Sequence, residues 1–225
     1  MKSSSIIIFF SVFFSFQVYA ENLSIEAKNI TIDKKSNITI FENDVIAITD
    51  KDTIIKSDYA EYNKIEGYLK LKNNVIAKDI KGNIIRTNYA EYFKDGKILK
   101  SVGSTFIDTH DNYFVESEDI LFDNKQKYIN SKKKSMIKDA DGNEIYLENF
   151  DYQMNDNIFK SIGNIKIEDK NNNIYEFSQI YIDTKKKEIL GTDTKSFLNQ
   201  NSFKINEKNK PRVFANTIKI DDKTS

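Results

Sequence analysis

A 30-residue repeat constrains the fold of this chain more than any other feature of its sequence. Residues 56–63 read KSDYAEYN, and residues 86–93, thirty positions later, read RTNYAEYF. Four series of mostly apolar residues keep this interval: Ile30, Ala60, Ala90, Ile120, Phe150, Ile180; Ile32, Tyr62, Tyr92, Phe122, Tyr152, Ile182; Ile55, Ile85, Val115, Ile145, Tyr175; and Leu69, Leu99, Ile129, Phe159, Ile189. A fixed period of about 20–50 residues indicates stacked repeats, each of which buries its apolar face against its neighbours.

Each repeat contains two strand-like runs separated by turn residues. The runs are rich in Ile, Tyr, Phe, Val and Thr with polar alternation, and almost none has helical spacing. Two sets of turns also keep the period: Asp52, Gly82, Asn112, Gly142 and Asn172; and residues 64–67, 94–97, 124–127, 155–157 and 184–187. Because short turns join antiparallel neighbours, the sequence predicts an all-β meander of about twelve strands in about six two-strand repeats.

The alternation slips by one residue inside each repeat. Ile55 and Ser57 are expected on the same side of their strand, since they are two residues apart. The more regular apolar series runs through Ala60 and Tyr62, which alternate with the opposite phase. A β-bulge is the usual way to absorb such a slip, and bulges increase local twist. A bulge at the same place in every repeat predicts a curled sheet with two walls and an apolar inside.

The first twenty residues have the pattern of a secretory signal peptide. Lys2 precedes an apolar run at residues 6–16, and Ala20 ends the segment before Glu21. The run covers about 11 residues, whereas a membrane span needs roughly 20, so cleavage after Ala20 is predicted rather than anchoring. The mature chain has no cysteine and carries 33 basic and 34 acidic residues. This balance of charge does not favour binding to nucleic acid, which needs a basic surface. Without disulfides, the fold must be stabilised by its apolar core and by the hydrogen bonds between strands.

Catalytic and metal-binding patterns are weak throughout. The lone histidine, His110, falls in a predicted turn, and residues 139–144, DADGNE, resemble the start of a calcium loop without its later glutamate. No phosphate-binding glycine loop or serine nucleophile elbow is present. The lysine clusters at 132–134 and 185–187 are interpreted as solvated loops, with contact to lipid phosphates as the alternative. We therefore expect no catalytic residue, no metal and no cofactor.

The motif at residues 55–63, I-x-S-D-x-A-E-Y-N, and its copies resemble the repeat of the OstA-like family, the LptA-type periplasmic proteins of lipopolysaccharide transport. The resemblance covers residues 22–220 and lies behind a signal peptide, as in that family. It implies a twisted antiparallel β-jellyroll whose open-ended lumen shields the acyl chains of lipid A. It also implies partners, since end strands of such jellyrolls pair with other Lpt jellyroll proteins.

Within this family, the end of the chain resembles the close of the N-terminal periplasmic domain of the LptD-type assembly protein. The stretches that carry this are SFKIN at 202–206 and KPRVFAN at 210–216. In that protein a transmembrane barrel follows; a free-standing LptA-like bridge protein is the alternative. The expected organisation is a signal peptide at 1–20 and one jellyroll domain at 21–225, whose last repeat, 196–225, is atypical. The expected location is the periplasm, in association with the outer membrane.

The predicted lipid-binding interior consists of sixteen positions: Ile30, Ile32, Ile55, Ala60, Tyr62, Ile85, Ala90, Tyr92, Val115, Ile120, Phe122, Ile145, Phe150, Tyr152, Ile180 and Ile182. Two other classes remain open. One is a structural or adhesin-like β-solenoid of the cell envelope that binds no lipid, and the other is a polysaccharide-cleaving parallel β-helix. A parallel β-helix would need parallel rungs, which the short turns disfavour.

Overall fold

The computed structural model describes residues 23–49, 53–110, 112–186, 188–199 and 211–221. The predicted signal peptide lies outside these residues. Every regular element among them is a β-strand, and none of them forms a helix that could cross a membrane. The first nine strands are β1 (Ser24–Glu26), β2 (Asn29–Asp33), β3 (Ile38–Ile48), β4 (Ile54–Asn63), β5 (Tyr68–Lys78), β6 (Ile84–Phe93), β7 (Ile98–Ser101), β8 (Ser104–Asp108) and β9 (Phe114–Glu118). The other nine are β10 (Leu121–Asp123), β11 (Tyr128–Ser131), β12 (Ser135–Lys138), β13 (Glu144–Leu147), β14 (Phe150–Gln153), β15 (Ile158–Glu168), β16 (Ile174–Asp183), β17 (Glu188–Phe197) and β18 (Arg212–Asp221).

These strands form one antiparallel meander in which each run of chain pairs with the next. Short strands that follow one another along the same run, such as β7 and β8, both pair with the same neighbour, β6. Joining them in this way gives thirteen runs, close to the predicted twelve. All described pairings are antiparallel, so the parallel β-helix is wrong for this chain.

The sheet has two free edges among the described residues. At one end β1 and β2 pair only with β3, and at the other β18 pairs only with β17. Gly191 is opposite Ile218, as Leu71 is opposite Ala90, so Ile218 corresponds to Ala90 in the atypical last repeat. It lies 38 residues after Ile180, whereas the earlier members of this series are 30 residues apart. The eight or so extra residues that produce this offset fall largely in segment 200–210, outside the described residues.

The periodic turns contain residues in left-handed conformations. In one set Gly82, Asn112, Gly142 and Asn172 have φ of 96°, 63°, 90° and 59°. In the other, the last turn residue has φ between 53° and 59° at the four positions Gly67, Lys97, Lys127 and Asn157. Asparagine and glycine tolerate this region at little steric cost, which explains their recurrence. At Asp139 the carboxylate accepts the backbone N–H groups of Asp141 and Asn143, each at 2.9 Å, so the DADGNE segment is a turn.

A bulge is present at the predicted level of the repeats, but its extra residue lies on the strand that faces Ser57 and Ala60, where Asn43 and Asp44 are opposite Asp58 alone. The registers shift between Glu42 and Val45, Lys72 and Val75, and Ile162 and Ile165. The residues at the shifts have positive φ at 30-residue spacing: Asn43 and Asp44, Asn73 and Asn74, Gly103, and Gly163. Asp193, the next position of this series, also has positive φ, but the ladder keeps its register there. Side chains from the adjacent strand hold some of these bulges, for example Asp58, whose carboxylate accepts Asn74 Nδ2 at 2.7 Å.

The bulge at Asn73 yields a direct stability prediction. Asn73 has φ of 62°, where a β-branched residue clashes with its own backbone. We expect Asn73→Val to lower the free energy of unfolding by about 1–2 kcal/mol, and Asn73→Gly to leave it nearly unchanged. Urea unfolding followed by circular dichroism would measure both. Equal stability of the valine and glycine variants would contradict the left-handed assignment.

Strand halves on the two sides of the bulges pack onto each other. We call wall 1 the halves that end at turns 79–83, 109–113, 139–143 and 169–173, and these turns rim 1. Wall 2 comprises the halves that end at turns 34–37, 64–67, 94–97, 124–127, 154–157 and 184–186, and these turns are rim 2. Ala77 of wall 1 and Leu69 of wall 2 belong to the same core cluster, as do Ile145 and Phe159 further along. The sheet therefore folds over on itself along the line of bulges, with both rims opposite the fold.

Candidate functional site

The structure brings fourteen of the sixteen predicted interior residues together between the walls. Nine form part of the core: Ile55, Ala60, Ala90, Val115, Ile120, Ile145, Phe150 and Ile180 are buried in the clusters, and Ile85 packs against both clusters. Five are half-buried and pack against a cluster: Tyr62, Tyr92, Phe122, Tyr152 and Ile182. These last five form the wall 2 row nearest rim 2.

Ile30 and Ile32 continue the interior rows onto the edge strand. Ile30 is opposite the buried Phe41, and Ile32 is opposite Thr39. Their exposed fractions are 54% and 67% because no strand beyond β2 covers them among the described residues. They extend the apolar interior to the N-terminal edge of the sheet.

The interior is filled by the protein's own side chains, and its residue sizes change along the sheet. The N-terminal cluster is built around small residues, with Ala47, Ala60, Ala77 and Ala90 all buried. The C-terminal cluster holds large aromatic residues; Phe150 and Phe159 stack with ring centroids 5.7 Å apart. Any ligand between the walls must therefore displace contacts that the walls make with each other.

A belt of buried hydroxyl groups lies in the central repeats and was not predicted. Its members are Thr87, Ser101, Thr105, Ser117, Ser131 and Ser135, each no more than 8% exposed. Thr105 Oγ1 donates to Ser101 Oγ at 2.7 Å, Ser117 and Ser135 share a 2.7 Å bond, and Ser131 Oγ donates to the Glu118 carbonyl at 2.7 Å. These bonds occur where the bulges break the regular ladder, so the hydroxyls satisfy backbone groups there. A sequence signal existed, since Ser101, Ser131 and Ser161 are spaced by 30 residues.

The outer face of wall 2 carries a network of tyrosine, lysine and glutamate. Glu61 accepts Lys72 Nζ at 3.0 Å and the Tyr59 hydroxyl at 2.8 Å. Glu91 accepts the hydroxyls of Tyr68 and Tyr89 at 2.8 and 2.9 Å. Burial raises the pKa of the Glu61 carboxyl group, but the hydrogen bonds from Lys72 and Tyr59 outweigh it and leave that pKa lowered. The network is internally satisfied, which is consistent with a solvated face rather than a reactive one.

This network predicts a loss of stability in alkaline solution. Burial first, then the hydrogen bond to Glu61, raises the pKa of Tyr59 to about 12, and burial together with Glu91 raises the pKa of Tyr68. Since the folded protein keeps phenol protons that the unfolded chain releases, this stabilising contribution is complete below about pH 10. It is lost as the pH rises from about 10 towards 12.

We expect the urea midpoint to fall across this pH range, and to fall less steeply in Tyr59→Phe/Tyr68→Phe. Urea titrations at several pH values would measure both slopes. Identical slopes in the two proteins would show that these phenols do not cause the effect.

Potential reactive groups do not converge in the described residues. They contain no group of three or more His, Asp or Glu side chains placed to hold a metal ion. His110 lies exposed in its turn, with its backbone N–H donating to Asn83 Oδ1 at 3.0 Å. The apolar interior and its two rims are therefore the candidate site.

Comparison with known proteins finds several similar solved structures. No family model and no curated protein matches the chain. The chain is similar to the crystal structure of LptH, the LptA homologous periplasmic component of the conserved lipopolysaccharide transport device from Pseudomonas aeruginosa. The identity is 13% and the TM-score 0.23, over 86% of this chain and 94% of that chain. These values are too low to support an inference, and the chain's fold and proposed function stand on its own residues.

Proposed function

We propose that this chain is a non-catalytic lipid-binding module of lipopolysaccharide transport across the periplasm, in which the interior shields the acyl chains of lipid A. The observation that carries the proposal is the arrangement of the interior residues in rows, with one apolar residue from each repeat. Five copies of an OstA-like motif place apolar residues from both walls in one stacked series. A series that repeats along the whole sheet matches a long amphiphile better than a compact ligand.

Binding requires the two walls to separate, because their facing side chains are in contact. The contacts between the walls are largely apolar, and acyl methylene groups would replace them with groups of the same kind. Exchange of one apolar contact for another leaves little net change in buried area. The cost of opening is then mainly the bending of the bulges, whose left-handed asparagine and glycine residues lie along the fold line.

The free edges fit the expected partners. β18 pairs only with β17 and β2 only with β3, so each has one edge that no strand covers among the described residues. Edge strands of this length pair readily with strands of another protein. The proposed partners are other Lpt jellyroll proteins, and the proposed setting is a periplasmic assembly at the outer membrane, either LptD-like or LptA-like.

A purely structural β-solenoid is the second candidate, and the filled interior favours it. If the chain is only a spacer, the interior would stay closed in the cell. The two candidates differ in what reaches Phe150, which is 3% exposed in this structure.

Photo-crosslinking in cells separates these candidates. A photoreactive residue at Phe150 is expected to capture lipopolysaccharide, because separated walls would bring acyl chains against it. The control is Glu176 on β16, which is exposed on the outer side of the sheet and lies away from the turns at 154–157 and 184–186. Capture at Phe150 and not at Glu176 supports transport. If a folded protein gives no lipopolysaccharide adduct at Phe150, the structural solenoid replaces the transport proposal.

A further inference from the structure

The two rims differ in charge. In the described residues 33–37, 63–67, 93–97, 123–127, 153–157 and 183–186, rim 2 and its flanking strand ends hold nine lysines against six acidic residues. The described residues of 79–83, 109–113, 139–143 and 169–173, at rim 1, hold two lysines against four acidic residues. Each rim uses three of its aspartates to accept turn backbone N–H groups, so these do not produce the difference.

The rows of interior residues next to the two rims also differ, in the type of apolar side chain that they contain. Next to rim 1 the row is mostly aliphatic: Ile55, Ile85, Val115, Ile145 and Tyr175. Next to rim 2 a mostly aromatic series holds three half-buried tyrosines, Tyr62, Tyr92 and Tyr152. This aromatic row alternates across the sheet with the paired residues Leu69, Leu99, Ile129, Phe159 and Ile189. Tyrosine has an apolar ring and a polar hydroxyl, which suits it to boundaries between lipid chains and water.

The lysines lie immediately outside this aromatic row. Lys64 follows Tyr62 by two residues, and Lys94 follows Tyr92 by two, a separation of about 7 Å along a strand. Asp95 in the same turn contributes to the raised pKa of Tyr62, after burial, which places that phenol within reach of the rim charges. Rim 2 thus presents, from inside to outside, apolar side chains, phenols and ammonium groups.

We propose that rim 2 is a headgroup site, at which the lysines bind the anionic headgroup of an amphiphile whose chains lie between the walls. The inference rests on the proposed function, since chains must enter the interior. It adds a side to the opening between the walls: the headgroup lies against rim 2, and the acidic rim 1 disfavours an anion there. A protein partner with an acidic segment would use the same lysines without the tyrosines.

Two probes with identical labelled acyl chains test this inference. One is a phosphatidic acid and the other is the corresponding neutral diacylglycerol. The purified chain without its signal segment is expected to bind both, with a preference for the phosphate that shrinks at about 0.5 M salt. Binding of both probes tests the proposed function, and the preference tests the headgroup site.

Matched variants locate the preference. Lys64→Gln/Lys125→Gln removes two exposed charges from rim 2, and Lys81→Gln/Lys170→Gln removes two exposed charges from rim 1. We expect the rim 2 variant to lose the phosphate preference by about three- to tenfold and the rim 1 variant to keep it. Affinity for the neutral probe should be unchanged in both, which also shows that the interior is intact.

The outcomes separate the two proposals. If neither probe binds the parent chain, the proposed function fails, and the headgroup site with it. If both probes bind equally, or if the two variants lose the preference equally, the headgroup site is overturned while lipid binding stands. An acidic peptide gives a further comparison. If the peptide abolishes the preference for phosphatidic acid and leaves the neutral probe bound, while the rim 2 variant shows no loss of that preference, the headgroup site is also overturned.

Discussion

Replacing Ala90 by aspartate is expected to unfold the N-terminal half of the sheet. Ala90 is 1% exposed and is opposite Leu71 on one side and Ser101 on the other. A carboxylate there would be buried among apolar side chains without a cationic partner. An uncompensated buried charge costs about 3–5 kcal/mol, a large share of the roughly 5–15 kcal/mol that stabilises a domain.

The matched control for this substitution is Asn88→Asp. Asn88 lies two residues earlier on β6, but the one-residue slip places it on the exposed outer side. The same charge is therefore added to the same strand without burial, and we expect a change within about 0.5 kcal/mol. Urea unfolding monitored by circular dichroism compares the two. An Ala90→Asp protein as stable as the control would mean that the walls do not close over this row.

The effect of Ala90→Asp should also depend on pH. Burial raises the pKa of a carboxyl group, so the folded variant binds a proton more tightly than the unfolded chain. The destabilisation is therefore smallest in acid and grows as the pH rises above about 4. This dependence distinguishes a buried charge from a simple steric defect, which would be the same at each pH.

The period of the sequence predicted the ladder because each repeat meets the same surroundings. Ile55, Ile85 and Val115 lie in equivalent positions because antiparallel neighbours with equal turns must keep one register. The slip between Ser57 and Ala60 predicted the bulge for the same reason. Both are consequences of local geometry, which the order of residues specifies directly.

Features that depend on distance between the walls were not predictable in this way. Alternation shows which side chains share a face, but it does not show how closely two faces approach each other. The closed interior around Leu69 and Leu71, both 0% exposed, follows from the way the folded sheet packs. The hydroxyl belt was missed because alternation places Ser117 on the side of Val115 but does not show that its hydroxyl is buried and bonded to Ser135. The exposure of Ile32 follows from its place on an edge strand.

The exchange of side-chain size between repeats gives the second large prediction. Ser57 and Leu71 in the N-terminal half correspond, four repeats later, to Phe177 and Gly191. A Cβ atom built on Gly191 would overlap the Phe177 ring, so the ring occupies the space that Leu71 fills in its own repeat. Small and large residues therefore complement each other in both halves.

We expect Gly191→Leu and Phe177→Ser each to be strongly destabilising, for opposite reasons. The first overpacks the corner at a cost of about 3 kcal/mol or more, and the second leaves a cavity at a cost of about 3–5 kcal/mol. The double variant restores the combination found at Leu71 and Ser57. Its loss of stability should fall short of the sum of the two single losses by about 1–3 kcal/mol.

A double-mutant cycle measured by urea unfolding tests this coupling. Phe177→Leu is an intermediate control, because Leu147 occupies the same position one repeat earlier. Combined with Gly191→Ala, it should reduce part of the loss of stability that Gly191→Ala causes alone. Additive losses in the cycle would show that ring and glycine do not share one space. Coupling of the expected sign would show that side-chain sizes on neighbouring strands are complementary along the sheet, so that a large residue on one strand requires a small one on the next. A ligand that separates the walls must then act on several repeats together rather than on one.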